Sequence, residues 1–340
     1  MTTMNTRTAA RPLAGVLAWS KGLVDPALRT AAERLPEVMR RIAAYHFGWQ
    51  DAHGRPAATD GGKALRPALV LLCAEAAGGD AADAVPAAVA VELVHNFSLL
   101  HDDVMDGDTT RRHRATAWTV FGTGPAILAG DALLSLAFEV LAPSGAAHAK
   151  VLSAATLALL EGQAADLDFE QRDDVTPGEC VRMAEGKTAA LLGAACTLGA
   201  ATGPDGTDDR FGAFGQAVGL AFQHVDDLLG IWGDPAVTGK PVYSDLQNRK
   251  KSLPVVTALC SGTPAGADLA ALYARSEPLD ETELARAASL VETAGGRQWS
   301  QAQADALLAK ALRDLTAAVP PSRATTELAA LARLITTRTH

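Results

Sequence analysis

Three aspartates, Asp102, Asp103 and Asp106, close a long apolar run that starts near residue 86. The run is rich in alanine and valine, and its only acid before the cluster is Glu92. It predicts one long buried helix over residues 86–106. On that helix Asp102 and Asp106 stand at i and i+4, so they share a face one turn apart and repel. Arg111 and Arg112 follow within six residues. The residues alone admit two meanings. One is a solvated helix end, acidic and then basic. The other is a pair of hard oxygen ligands for Mg²⁺, which binds through one or two carboxylates and shares a substrate phosphate. In the second case Arg111 and Arg112 hold phosphate oxygens from the side.

The rest of the 340-residue chain narrows the choice. Aromatic residues make up only 5% and β-branched runs are short, which favours helices over sheets. A net charge of -9 argues against a nucleic-acid partner. A local basic cluster or a bound metal can still draw an anionic substrate. Cys73, Cys180, Cys196 and Cys260 form no CxxC pair and read as reduced core thiols of a cytoplasmic protein. No run of about 18 uninterrupted apolar residues suggests a transmembrane helix. Residues 1–20 lack an apolar signal region and read as a flexible tail.

Taken in order, residues 21–46 have helical apolar spacing, and residues 54–62 form a loop with Gly61-Gly62 as breaker. Lys63 and Arg66 then sit beside a helix start carrying Pro67, where backbone N–H groups favour anions. His95 lies two turns before the aspartates. Helices are expected over residues 115–142, 148–171, 177–202 and 211–232. Gln163 and Asp166 are polar groups on an apolar stretch, facing either solvent or a cavity. Lys187 interrupts another such stretch and needs an anionic partner or a route to water. Asp226 and Asp227 form a second buried-looking acidic pair, costly unless paired or metal-bound. A charged loop over residues 233–252 follows, then helices near 253–262, 281–294, 300–318 and 324–336. No shift in composition marks a domain boundary.

Together these pieces resemble the isoprenyl diphosphate synthases, the trans-polyprenyl synthetase family, over nearly all of residues 21–340. The first aspartate-rich motif, DDxxD, matches Asp102, Asp103 and Asp106, and the following arginines match Arg111 and Arg112. The GKxxRP segment matches residues 62–67, and the upstream histidine matches His95. The lysine-threonine pair matches Lys187 and Thr188, and the glutamine before the second motif matches Gln223. That motif's leading pair matches Asp226 and Asp227; the later lysines match Lys240 and Lys250, with Asp245 at the family's DL position. The second motif departs from DDxxD: Gly230 replaces the third aspartate, and Asp234 is a full turn too far to substitute. Tyr243 and Arg249 stand where the family usually has glycine.

The resemblance implies an all-α, single-domain bundle of long helices around a central cavity, and a homodimer. It implies head-to-tail prenyl transfer, in which isopentenyl diphosphate attacks an ionising allylic diphosphate. Asp102, Asp106 and Asp226 are then ligands for Mg²⁺, three ions in all. Arg111, Lys187 and Lys240 bind the allylic diphosphate, with Lys250 as a further substrate-binding lysine. Lys63, Arg66, His95 and Arg112 bind the second diphosphate, while Thr188 and Gln223 steady the cation. Phe97 and Ser98, just before the first motif, set product length. One aromatic at these two positions favours a C20 product, geranylgeranyl diphosphate. A class I terpene cyclase has no use for the second diphosphate site. A catalytically impaired modulatory subunit is the reading that Gly230 keeps open.

Overall fold

The computed structural model describes residues 10–57, 64–204, 206, 209–235 and 241–336. The chain is all-α; a two-residue hairpin and one isolated bridge are the only β pairings among the described residues. It divides into two compact units, each assembled from stretches distant in sequence. That discontinuity explains why no linker or shift in composition announces them.

The first unit comprises Met1–Ala154, Ala194–Gly212 and Leu315–Leu331. It opens with α1 (Leu13–Ala32) and α2 (Glu37–His46), joined through a turn that Pro36 closes. Residues 21–46, whose apolar spacing is helical, thus fall in two helices. The flexible tail expected over residues 1–20 is corrected in part. Its first nine residues lie outside the described ones, but α1 begins at Leu13. Val16, Ser20, Val24 and Leu28 of α1 form a buried i, i+4 stripe. Just ahead, Arg11 donates to the buried Glu327 carboxylate through its backbone nitrogen at 2.7 Å and its Nη2 at 2.6 Å. Arg323 shares Glu327 and also reaches Glu75 at 2.7 Å. The anchor is 316 residues away, beyond any local pattern.

Next come α3 (Leu65–Ala76) and α4 (Val85–Met105). The middle of α4 is buried on every side, from Ala87 through Val94, which explains its unbroken apolar character. It packs against α3, α1 and α6 (Thr123–Leu141), with the short α5 (Ala117–Phe121) between. Residues 115–142, expected as one interrupted helix, thus split at Gly122, whose φ of 92° ends α5. The segment Thr123–Ser144 is long and apolar enough to cross a membrane by length and composition. In this protein α6 packs along α4 and α2.

The second unit comprises Ala155–Gly193, Ala213–Asp314 and Ala332–His340. Its helices include α7 (Ala146–Glu170), whose first turns belong to the first unit, and α8 (Pro177–Ala184). Thr176 and Glu179 cap α8 reciprocally, at a Thr-Pro start. A π-turn, Glu185–Ala189, joins α8 to α9 (Ala190–Ala200), and α10 (Asp209–Trp232) follows. Then come α11 (Ser244–Gln247), α12 (Leu253–Leu259), α13 (Pro264–Tyr273) and α14 (Glu281–Thr293). The last helices of the chain are Gly296–Ala318, mostly of this unit, and Arg323–Thr336, mostly of the first. Nothing in the sequence reading anticipates α13, which starts at Pro264 under the Thr263 side-chain cap and buries Leu269 and Leu272. Cys73, Cys180 and Cys196 are buried as expected, whereas Cys260, one residue beyond α12, is exposed.

Candidate active site

In the first unit, α4 ends at the aspartates because Gly107, at φ 68°, turns the chain away. The chain returns through the hairpin of β1 (Thr110–Arg111) and β2 (Arg114–Ala115). Arg112 and His113 occupy its turn at φ 52° and 60°, the left-handed values a two-residue hairpin requires. The hairpin delivers Arg111 to Asp103: Nε donates to Oδ1 at 2.6 Å, and the Asp103 side chain is only 2% exposed. Burial pushes the Asp103 carboxyl up to about 6, against the pull of Arg111. Its second oxygen is buried with no hydrogen-bond partner. Asp102 is half-buried and Asp106 exposed, so the i, i+4 pair faces outward while Asp103 secures the hairpin.

Arg66, in the first turn of α3, lies with Nη1 3.1 Å from His95 Nε2 on α4. Burial, followed by the charges of Arg66, Arg112 and Arg111, holds the His95 imidazole well below its ordinary pKa. The ring is neutral at pH 7, and Nε2 is the acceptor for the guanidinium. His46 behaves likewise, lowered to about 3 by burial and then by Arg112 and Arg111. Tyr45, His46, Asp103, Arg111, Arg112 and Arg114 line one small cavity. Arg114 donates to the Tyr45 carbonyl at 2.9 Å, and the Tyr45 hydroxyl donates to the Ala115 carbonyl at 2.7 Å. These bonds clasp α2 to the hairpin. Tyr45, His46 and Arg114 escape the sequence reading because they belong to no motif and α2 comes close only in the fold.

Phe97 is buried, its ring edge-on to His101 at 4.8 Å between centroids. Nε2 of His101 is 3.0 Å from the Ile127 carbonyl on α6, and a Cβ at Gly130 would meet the His101 ring at 2.4 Å. Ser98 spends its hydroxyl on the His95 carbonyl at 2.8 Å. Lys63 lies outside the described residues.

In the second unit, the π-turn brings Lys187 Nζ to Asp166 Oδ2 at 2.6 Å. Insertions of this kind recur at functional sites because they re-aim side chains along a helix. Two glycines permit the close approach: a Cβ at Gly162 would stand 2.3 Å from the Lys187 nitrogen, and one at Gly186 would stand 2.6 Å from the Ala158 carbonyl. Thr188 Oγ1 donates to Gln223 Oε1 at 2.5 Å, and Gln223 Nε2 donates to Asp227 Oδ1 at 2.7 Å. Asp227 Oδ2 then accepts the backbone N–H of Leu253, the first residue of α12, at 2.8 Å. Both Asp227 oxygens are thus committed within the protein. Burial raises this carboxyl to about 7 although Lys250 opposes the shift. Its neighbour Asp226 is exposed.

Lys250 joins the cluster. Burial works against its charge, yet Asp166, Asp245, Asp227 and Asp226 together raise its ammonium well above the ordinary lysine value. Asp166 is lowered: burial opposes ionisation, and Lys187 and Lys250 outweigh it. Gln163, one turn before Asp166 on α7, is 4% exposed, and both of its amide atoms are buried without a partner. Lys240 lies outside the described residues.

The departures near the second motif acquire a shape. Tyr243 and Arg249, at φ 65° and 51°, both occupy the left-handed region where glycine is at ease. A glycine at 249 relieves about 1 kcal/mol of backbone strain. Arg249→Gly is therefore expected to melt higher than Arg249→Ala, both having lost the bond to the Glu277 carbonyl. Equal melting temperatures by circular dichroism would contradict this. At Gly230, a Cβ would meet the Asp245 carboxylate, 2.3 Å from Oδ2.

An all-helical chain with two acidic clusters, each accompanied by basic side chains, defines an isoprenoid-synthase-type enzyme. Residues 51–291 match the polyprenyl synthetase family, and the chain belongs to it, a family of prenyltransferases. A (2E,6E)-farnesyl diphosphate synthase of Mycobacterium tuberculosis is 50% identical over 333 residues, 95% of this chain and 92% of that one. A geranylgeranyl diphosphate synthase of the same organism is 47% identical over 320 residues, 92% of this chain and 90% of its own length. The crystal structure of a polyprenyl synthetase from Streptomyces coelicolor A3(2) superposes with a TM-score of 0.90. It is 47% identical and covers 95% of this chain and 99% of that one.

The side chains suit a hard divalent cation in their chemistry. Asp102, Asp106 and Asp226 offer carboxylate oxygens, the hard donors such a cation takes, and none of them is as deeply buried as Asp103 or Asp227. No three acidic, histidine or cysteine side chains converge into a ready cage among the described residues. That is the usual situation for Mg²⁺, which keeps waters and shares a substrate phosphate.

Proposed function

We propose that this protein condenses isopentenyl diphosphate with an allylic diphosphate, head to tail, and that its end product is geranylgeranyl diphosphate. The observation that carries the reading is the chain from Thr188 through Gln223 to Asp227, beside the Lys187–Asp166 pair. Every member is a residue the family motifs single out, save Asp166. Residues 21–340 are read as one catalytic domain in a cytoplasmic enzyme. Exposed Ile127 and Leu128 on α6 favour pairing with a second copy.

The hard step is heterolysis of the allylic C1–O bond, whose electron pair departs with the diphosphate. Asp102, Asp106 and Asp226 would hold Mg²⁺, which when bound would supply charge neutralisation for that leaving group. Arg111, Lys187, Lys240 and Lys250 bind the same diphosphate through charge-assisted hydrogen bonds. Asp166 orients Lys187, so the ammonium is placed before substrate arrives. The oxygen dipoles of Thr188 and Gln223 face the developing cation. Lys63, Arg66 and Arg112 hold the diphosphate of isopentenyl diphosphate, and His95 assists as a neutral ring fixed by Arg66. The double bond attacks C1, and the released diphosphate accepts the proton lost from the new cation. The apolar helix faces exclude water until then.

The proposed tail path runs along α4, whose turns rise about 5.4 Å, close to one isoprene unit. Small Ser98 leaves the path open and Phe97 closes it. Phe97→Ala is expected to shift the main product at least one isoprene unit longer, read by thin-layer radiochromatography. Unchanged lengths would remove Phe97 from the floor. The activity itself is tested by incorporation of labelled isopentenyl diphosphate with each allylic primer, with and without EDTA. Incorporation that requires both primer and Mg²⁺ supports the reading. Hydrocarbon released from the allylic diphosphate alone contradicts it.

A further inference from the structure

Gly230 follows Asp226 by one helical turn on α10, so a side chain there would emerge on the face of Asp226. That space is filled. A Cβ at Gly230 would meet Asp245 at Oδ2, Cγ and Oδ1, at 2.3, 2.4 and 2.6 Å. The filling group is itself a carboxylate, brought in by the turn that carries α11. Three bonds fix that turn in place. Tyr243 N donates to the Ile231 carbonyl at 3.2 Å, and Ser244 Oγ donates to the Gly230 carbonyl at 3.2 Å. Lys250 N donates to the Asp245 carbonyl at 2.8 Å. Left-handed Tyr243 and Arg249 bracket the turn and bend the chain back onto the end of α10. Asp245 also belongs electrostatically to the acidic cluster, since it acts on Lys250 together with Asp166, Asp227 and Asp226.

We propose that Asp245 supplies, from α11, the acidic side chain that the second motif lacks at position 230, so that Asp226 and Asp245 together serve the divalent cation. The motif is then complete in charge though not in sequence. Gly230 is a requirement of the arrangement, because any side chain there must displace Asp245. The inference rests on the reading of Asp226 as a metal-holding residue, and its test separates the two.

Mn²⁺ is titrated into the full-length protein with inorganic diphosphate present, and free Mn²⁺ is followed by electron paramagnetic resonance. Asp245→Asn is expected to weaken Mn²⁺ binding about tenfold, the scale of a lost supporting carboxylate. The double variant Gly230→Asp with Asp245→Ala, whose truncation clears the space at position 230, is expected to return to within about threefold of the parent, since the charge has only moved to the motif position. Thermal melting without metal accompanies each titration; where Asp245→Asn melts early, Asp245→Ala replaces it as the single variant. Unchanged Mn²⁺ affinity in the Asp245 variants, or no recovery in the double variant, overturns the inference. Asp226→Asn is the control for the underlying reading. If it binds Mn²⁺ like the parent, Asp226 does not hold the metal. If it binds weakly while the Asp245 variants bind normally, only the role of Asp245 falls.

Discussion

Asp227→Ala is expected to cost about 3 kcal/mol of folding stability and to lower kcat by at least about a hundredfold. Its carboxylate joins two elements. One oxygen accepts from Gln223, which itself accepts from Thr188, and the other accepts the first N–H of α12. Removing the carboxylate leaves two donors buried, and each unsatisfied donor costs roughly 1–3 kcal/mol. It also strips one of the four carboxylates that hold Lys250 charged. Gln223 then loses the acceptor that fixes its amide, and with it the orientation on which its proposed role beside the cation depends. Asp227→Asn keeps the shape and one acceptor, so its stability cost is expected near about 1 kcal/mol. Urea denaturation of both variants checks the ordering. An alanine variant as stable as the asparagine one would show that Asp227 does not tie Gln223 to α12.

Lys187→Met is the second large effect, an expected fall of roughly a thousandfold in kcat. The ammonium is preorganised by Asp166 at 2.6 Å, with the two side chains only 21% and 16% exposed. Methionine fills similar space but leaves Asp166 without that partner, which costs about 2–3 kcal/mol after allowing for the remaining help of Lys250. The double variant Lys187→Met with Asp166→Leu removes both charges and is expected to regain most of that stability. Its kcat stays as low as that of the single variant. Stability and activity thereby separate: the ion pair is replaceable as packing, and the ammonium is not replaceable as a leaving-group partner. Recovery of kcat in the double variant would contradict the assigned role.

Much of this was legible in the sequence because the chemistry is written in short motifs. Asp102, Asp106 and Lys187 are visible through a spacing or a misplaced charge, and Arg66, His95, Thr188 and Gln223 through the resemblance to the family's motifs. The helices were visible through apolar periodicity, most clearly α4. What could not be read depends on contacts between distant stretches. Arg11 anchors the chain start on Glu327, turning an apparent tail into the lead of α1. His46 and Arg114 meet Asp103, Arg111 and Arg112 only after α2 and the hairpin fold together. The different burdens of Asp102 and Asp103, or of Asp226 and Asp227, follow from helix phase and the identity of the partner. The π-turn at Lys187 leaves no mark on hydrophobic spacing beyond Gly186, yet it sets where the ammonium sits. Gly230 reads as a gap in the motif, and only the fold sets the Asp245 carboxylate against it.

The central claim is that these residues elongate an allylic diphosphate to a fixed length. The most direct measurement is mass spectrometry of the products after one incubation with Mg²⁺, isopentenyl diphosphate and dimethylallyl diphosphate. The account predicts geranylgeranyl diphosphate as the end product, with shorter diphosphates appearing and declining before it. Products free of isopentenyl carbons, or no products at all, would contradict it.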